Sequence, residues 1–334
     1  MGLDCFQILA DGQDITAKIR PFFLRLTITD NAGIDSDHFE LVLADDGKVA
    51  FPQRQSQIEI YTGVDRNALV FRGEYTVNSV TLTSPEKTMT LAGYAGNMGG
   101  KFKTHRDFTW SQVTLKALVE TVAQRNGLTP AVSASYAAIQ IPHYIQAGQS
   151  DADLVTELAK EHGATMKIAR ERLVFFPRGD NQSVSAAPLS PVAVKLTNEV
   201  EARLTLSGTG RFQAVEAFWQ QVELGYRQSV RVGKDGGKIK KLSKIFPDAE
   251  AAKAAAEAVL YHEQRKDYKL SLDELPFIAG IQAERNIQLS GYHRPEFNTE
   301  WMCENVTEVI SENGHILSCS FVIPKGESVQ YLET

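Results

Sequence analysis

Two pairs of neighbouring carboxylates are the residues of this chain best able to do acid–base chemistry: Asp151 with Asp153, and Asp273 with Glu274. Two carboxylates that face each other across a cleft can hydrolyse a glycosidic bond. The first pair, however, follows Ser150 where a helix is predicted to begin, a position that favours negative charge. The second pair ends a predicted strand beside a proline. A structural role is favoured for both pairs, and no catalytic residue is predicted.

Motifs for phosphate, metal or acyl chemistry do not occur in the sequence. It contains no Gly-x-Ser-x-Gly, no Gly-x-x-x-x-Gly-Lys and no His-Glu-x-x-His. The histidines are scattered, and His162 precedes a helix-ending glycine, where an imidazole favourably meets the helix C-terminus. Cys5, Cys303 and Cys319 form no Cys-x-x-Cys pair, which indicates free thiols. Neither a cofactor nor a metal is predicted.

The strongest charge feature is a basic stretch at 233–244, which holds a single acidic residue, Asp235. We interpret it as a solvated loop that follows a hairpin. The functional alternative is an electrostatic contact, with an acidic protein partner or with DNA. The candidate protein-contact loop consists of Lys234, Lys238, Lys240, Lys241 and Lys244.

The composition is that of a soluble globular protein of two or three domains. The chain has 334 residues, of which 43% are hydrophobic and 23% charged. Its net charge of -6 argues against specific nucleic-acid binding as the main role. No basic segment followed by an apolar stretch marks a secretion signal, and no apolar run is long enough to span a bilayer. No membrane anchoring is therefore expected.

Residues 1–100 predict a first β domain. Apolar residues alternate with polar ones in rows at 24–28, 39–43, 58–60, 70–83 and 88–94, with glycine-containing turns between them. Such alternation is typical of a half-buried antiparallel sheet or a small barrel.

Residues 101–180 predict a small α/β domain. A capping-box pattern at Thr109–Gln112 predicts the start of a helix that ends at Asn126–Gly127. A second helix is expected from Ser150 to His162–Gly163. Two strands within 166–176 follow, joined by a charged turn.

Residues 181–334 predict a second β domain with one alanine-rich helix at 248–266. The linker 177–191 leads into it. A hairpin is expected from strands at 212–222 and 226–232. Further strands are predicted at 192–196, 204–206, 270–275, 287–292, 301–310 and 316–323. The fold class is mainly β with an α/β insertion.

Several sequence motifs, in a fixed order along the chain, resemble those of the late control protein D family of contractile-tailed phages. They are Ile141–Gln146, Gln149–Leu154, Glu157–Ala164, the apolar strand Leu173–Phe176 and the strand Arg211–Trp219, which ends in an aromatic–Trp pair. The alanine-rich helix and the closing strands follow in the family's order. The charged turn at 170–172 lacks the glycine that a tight turn often holds.

The resemblance implies a baseplate hub protein, similar to the N-terminal part of type VI secretion spike proteins. Two tube-like β-barrel domains would flank the α/β domain. A homotrimer would form a ring that adapts a hexameric tail tube to a trimeric spike. The implied partners are the tail tube protein, the spike protein, the tape-measure protein and the baseplate wedge proteins. The implied location is the baseplate of a virion or tail-like particle, after synthesis in the host bacterial cytoplasm.

The alternative function is a tail-associated enzyme that degrades the cell wall, although the sequence offers it no convincing carboxylate pair. A DNA-binding regulator is disfavoured by the acidic balance and by the lack of a basic recognition helix. Whether the particle is an infectious phage or a phage-tail-like bacteriocin stays open.

Overall fold

The computed structural model describes residues 5–47, 49–53, 55–95, 100–179, 181, 189–197, 199–207, 212–220, 226–265 and 268–324. The protein is mainly β, as the sequence predicts. The strands are β1 (Phe6–Ala10), β2 (Gln13–Asp14), β3 (Phe23–Asn31), β4 (His38–Ala44), β5 (Gln57–Gly63), β6 (Leu69–Thr83), β7 (Thr88–Ala95), β8 (His105–Thr114), β9 (Thr129–Val132), β10 (Gln140–Ser150), β11 (Ala164–Ala169), β12 (Arg172–Pro177), β13 (Val192–Lys195), β14 (Glu201–Leu206), β15 (Phe212–Gln220), β16 (Arg227–Gly233), β17 (Lys238–Phe246), β18 (Tyr268–Pro276), β19 (Asn286–Ser290), β20 (Glu300–Ser311) and β21 (Gly314–Val322). The α-helices are α1 (Thr16–Ile19), α2 (Leu115–Arg125), α3 (Asp151–Glu161) and α4 (Ala249–Arg265).

One 13-stranded sheet contains strands from both ends of the chain, in the order β14-β18-β21-β20-β3-β4-β7-β6-β5-β1-β2. Strand β19 also pairs with β20, and β13 pairs with β19. We call β1–β7 the first β half, and β13, β14 and β18–β21 the second β half. The antiparallel pairing of β3 with β20 joins the halves, and we call this region the junction.

Each β half has its own hydrophobic core, because alternate residues of its strands point to one face. In the first half, Phe6 of β1 stacks on Phe23 of β3 with ring centroids 4.6 Å apart, so these two strands approach each other although they are not neighbours in the sheet. Tyr75 is buried within this core. Trp301 is the largest fully buried side chain of the second half.

The two halves repeat one strand order, β3-β4-β7-β6-β5 in the first and β14-β18-β21-β20-β19 in the second. Each copy carries a bulge at the same place. The β6–β7 register shifts between Val77 and Ser79, and the β20–β21 register shifts between Cys303 and Asn305. Before each bulge, the N–H of Val77 donates to the carbonyl oxygen of Ser56 over 3.0 Å, and that of Cys303 to Arg285 over 2.8 Å. The second half is therefore a structural repeat of the first.

The α/β unit packs α2 and α3 against the sheet β11-β12-β9. Ser150 caps α3 as predicted, since its side chain accepts from the N–H of Asp153 over 3.1 Å. The predicted helix start at Thr109 is wrong. Thr109 lies in β8, opposite Ile145 of β10, and the helix begins after Thr114, whose Oγ1 accepts from the N–H of Ala117 over 3.1 Å.

A separate sheet, β16-β15-β17, packs against α4 through small apolar residues. The predicted hairpin is confirmed as β15 and β16, although its turn lies outside the described residues. The lysine-rich loop predicted at 233–244 is wrong in part, because residues 238–246 form β17. That strand pairs in parallel with β15, and its Phe246 is buried. Most of the linker 177–191 lies outside the described residues, and the domain boundaries stay a prediction.

Candidate functional site

The carboxylate of Asp151 is engaged in structure. Its side chain is fully buried and accepts from Nδ2 of Asn126 at 2.7 Å, Nε2 of Gln146 at 3.0 Å and Nε of Arg125 at 2.8 Å. Nε of Arg106 lies 3.2 Å away. Burial raises the pKa of Asp151, but these hydrogen bonds and the Arg125 charge outweigh it, so the pKa is lowered. Asp151 therefore connects α3 to α2 and to the two-stranded sheet of β8 and β10.

The second pair, Asp273 and Glu274, lies in β18 where the register against β21 shifts between Leu272 and Leu275. Glu274 takes a left-handed backbone conformation with φ 57°. The arrangement is that of a bulged strand, and the two pairs lie on different elements.

Three of the five candidate lysines form ion pairs, two of them with glutamates of α4 and β15. Nζ of Lys240 lies 3.0 Å from Glu263, and Nζ of Lys241 lies 3.1 Å from Glu216. The hydrogen bond from Lys241 lowers the pKa of Glu216. Much of the basic charge on β17 is thus compensated within the chain.

The other three candidate lysines, Lys234, Lys238 and Lys244, lie at different places along and before β17. Lys244 pairs with Glu161 at the end of α3, which ties β17 to the α/β unit. Lys238 is exposed at the start of β17, and Lys234 lies in the turn before it. The exposed part of the cluster is smaller than the sequence suggests.

A buried ion pair lies where the two β halves meet. Nε of Arg72 on β6 lies 3.0 Å from Glu308 on β20, with side chains 6% and 4% exposed. Nε2 of His315 lies 2.6 Å from the same carboxylate. Phe277 lies between two of these groups, with its ring stacked on His315 at 3.9 Å and the Arg72 guanidinium 4.9 Å from its centroid. These contacts fix one half against the other.

Asp30 lies beside this ion pair. Its carboxylate accepts from the N–H of Ala283 over 2.8 Å, and it lines a cavity of about 210 Å³ together with Arg72 and Glu308. Burial and then the charge of Asp37 raise the pKa of Asp30 to about 7, although Lys167, the Ala283 hydrogen bond and Arg72 lower it. The junction therefore contains a carboxyl group that titrates close to neutrality.

We expect Asp30→Asn to remove part of the pH dependence of stability. The folded pKa of about 7 lies above the unfolded value of 3.8, so the folded state binds more protons between these values. The free energy of unfolding of the wild type should fall, relative to the variant, as pH rises from about 4 to about 7. Urea unfolding at a series of pH values measures it. Parallel curves for the two proteins over that range would contradict the assignment.

A second polar cluster attaches the α/β unit to the junction. The carboxylate of Glu284 accepts from the N–H of Gly33 over 2.9 Å, from Oγ1 of Thr165 over 2.6 Å and from the N–H of Gly179 over 3.1 Å. One glutamate thereby joins three segments that are distant in sequence, and sequence reasoning did not single it out.

Among the described residues, no group of three or more His, Cys, Asp or Glu side chains is arranged to hold a metal ion. Within the same residues, no helix is long and apolar enough to cross a membrane.

No family model matches the chain. Among curated proteins, it is 25% identical to the probable baseplate hub protein of Escherichia phage P2 over an alignment 353 positions long, which covers 94% of this chain and 91% of the relative. The probable baseplate hub protein of Escherichia phage 186 is 29% identical over 215 residues, or 64% of this chain and 55% of the relative.

Solved structures share the fold at low identity. A 43 kDa tail protein of prophage MuSo2 from Shewanella oneidensis aligns with a TM-score of 0.70 and 14% identity, covering 96% of this chain and 98% of that one. A type VI secretion system component of E. coli aligns with a TM-score of 0.59 and 11% identity, covering 92% and 74%. The resemblance to the late control protein D family is confirmed: the chain is similar to the probable baseplate hub proteins of phages P2 and 186, to the first of them over nearly its whole length, and has the fold of phage tail proteins.

Proposed function

We propose that this chain is a structural subunit of the baseplate hub of a contractile tail or related injection particle, and that three copies form a ring between a hexameric tail tube and a trimeric spike. The observation that carries the proposal is the near full-length similarity to the phage P2 hub protein. The repeated β halves support the ring, because two similar units per chain let a threefold assembly present a nearly sixfold face.

The partners of such a ring are the tail tube protein on one side and the spike protein on the other, with the tape-measure and baseplate wedge proteins nearby. The particle location follows from the same role: the baseplate of a virion or tail-like particle assembled in the host cytoplasm. Size-exclusion chromatography of the purified chain with its spike protein tests the partnership. Co-elution at a larger size supports it, and separate elution of both proteins contradicts it.

A contact with an acidic partner through the candidate lysines is a second part of the proposal; these are Lys234, Lys238, Lys240, Lys241 and Lys244. Lys238→Glu with Lys241→Glu should weaken spike or tube binding about tenfold, equivalent to about 1.4 kcal/mol, and should reduce the salt dependence of binding. Lys18→Glu, at another exposed lysine, is the matched control. Unchanged affinity for both partners in the double variant would remove the lysines from the interface.

The cell-wall-degrading alternative predicts turnover, whereas the hub predicts none. Asp151 accepts hydrogen bonds from Arg125, Asn126 and Gln146 and lies in an ion pair with Arg106. Glu308 is paired with Arg72 and His315. We expect purified protein to leave a peptidoglycan suspension turbid while lysozyme clears it. Clearing that is lost in Asp30→Asn, while the variant remains folded, would establish an enzyme and contradict a purely structural role.

A further inference from the structure

Among the described residues of the 13-stranded sheet, the strands β2, β13, β14 and part of β6 each have a side with no partner strand. Strand β14 ends the sheet and pairs only with β18. Strand β6 pairs with β7 up to Thr83, whereas its pairing with β5 stops at Thr76. The far side of residues 78–83 is therefore open. Unprotected edges of this kind are templates for pairing with another chain.

The repeat within the chain shows what covers such an edge. In the second β half, the strand that corresponds to β6 is β20, and beyond its bulge the equivalent side of β20 pairs with β3. The strand that corresponds to β3 is β14. Inside the chain, the edge of β20 beyond its bulge therefore pairs with the edge of β3. The first kind of edge belongs to β6 and β20, and the second kind belongs to β3 and β14. The open edges of β6 and β14 are of these same two kinds.

We infer that β14 of one copy pairs antiparallel with residues 79–83 of β6 in a second copy, which repeats the β3–β20 junction between chains. This inference rests on the proposed ring and names the strands that close it. The two edges belong to different surfaces, so the contact is head to tail. Repetition of a head-to-tail contact generates a ring when its rotation closes.

The register follows from the strand pairings on both sides of the bulge. Ile28 lies opposite Phe39, and Phe39 opposite Gly93, which faces Val77 just before the bulge of β6. In the second half, Leu204 lies opposite Leu270, and Leu270 lies opposite Phe321. Phe321 in turn faces Cys303, just before the bulge of β20. Leu204 therefore corresponds to Ile28.

Counting on from the bulge, Ser79 corresponds to Asn305 and Leu82 to Glu308. Inside the chain, Glu308 lies opposite Ile28. Between chains, Leu82 is therefore placed opposite Leu204. The neighbouring pairs become Thr81 with Thr205 and Val80 with Leu206.

The side chains at these edges fit such a contact. Leu82 is 52% exposed and Leu206 is 49% exposed, so both open edges present apolar side chains to solvent. In the internal junction, Glu308, the counterpart of Leu82, is 3% exposed, and Ile28, the counterpart of Leu204, is also 3% exposed. Where the internal junction holds Glu308 and Asp30, the open edges hold Leu82 and Leu206. Pairing between chains would remove apolar surface from water without burying a charge.

Disulfide trapping tests the register directly. Leu82→Cys with Leu204→Cys, and separately Thr81→Cys with Thr205→Cys, are made in a Cys5→Ser background. Adjacent pairs of an antiparallel ladder alternate between close and wide spacing, so one of the two pairs has the geometry that a disulfide needs. Burial raises the pKa of Cys319 to about 12 and that of Cys303 well above its usual value, so neither native thiol competes.

Oxidised protein should give covalent dimers and trimers on a non-reducing gel with at least one pair. Thr81→Cys with Arg203→Cys, displaced by two residues, should give none. An oligomer by light scattering in which neither matched pair cross-links would overturn the proposed strand pairing and leave the ring intact. A monomer at every concentration, with or without the spike protein, would overturn the ring as well. Leu82→Lys should dissociate the oligomer, whereas Val64→Lys, at another exposed residue, should not.

Discussion

Replacement of Arg72 by methionine is expected to lower the free energy of unfolding by about 3–5 kcal/mol, the usual cost of leaving a buried charge without its partner. Arg72 and Glu308 are almost fully buried, so the loss of the guanidinium leaves the buried Glu308 carboxylate without its cationic partner. Urea unfolding of the variant, followed by circular dichroism, measures the change.

The matched control is Arg25→Met, which breaks the pair of Arg25 with Glu40 on the same sheet. Those side chains are 52% and 40% exposed, so the loss should be at most about 1 kcal/mol. Adding Glu308→Leu to Arg72→Met should restore part of the stability, because no unpaired buried charge then remains. Equal losses in the two single variants would mean that the junction pair is not buried as described.

Replacement of Asp151 by alanine is expected to cost about 3–5 kcal/mol, since it leaves Arg125 and the buried Gln146 without their shared acceptor. Asp153→Ala, which removes only a partner of the Ser150 cap, should cost about 1 kcal/mol. Denaturant titration of both variants measures the two losses in the free energy of unfolding and distinguishes the buried hydrogen-bond acceptor from the helix-cap residue.

The pH dependence gives this assignment a second readout. The pKa of Asp151 is lowered in the folded protein, so the stability it contributes is present above its unfolded pKa of 3.8 and is lost as pH falls through the folded value. The loss in Asp151→Ala should therefore be full at pH 7 and shrink at acid pH. A loss that stays constant down to pH 2 would contradict the assignment.

Local patterns in the sequence predict the strands and helices well where one face is buried. The rows at 39–43 and 58–60 became β4 and β5, because their alternating apolar residues form the core. The cap at Ser150 was predicted because the side-chain acceptor and the first N–H groups are neighbours in sequence.

Local patterns failed where a pairing partner decides the structure. Thr109–Gln112 has the form of a capping box, yet the ladder with β10 holds it in a strand. The lysine-rich sequence of β17 likewise predicts a loop. It forms a strand because it pairs with β15 and buries Phe246, which outweighs the effect of its lysines.

The junction could not have been found from sequence at all. Arg72, Glu308 and Asp30 lie on three strands that are distant in the chain, and nothing near each residue indicates its partner. The pairing of β3 with β20 places them together. The repeated strand order also emerges only from the pairing, because residues at equivalent positions, such as Leu82 and Glu308, differ in chemistry.

The most direct test of the hub is the mass of the purified chain by multi-angle light scattering, alone and after mixing with the spike protein. A stable trimer, or a complex of three hub chains with three spike chains, is the result expected here. A monomer that binds neither the spike protein nor the tail tube protein would contradict the hub and leave only the shared fold.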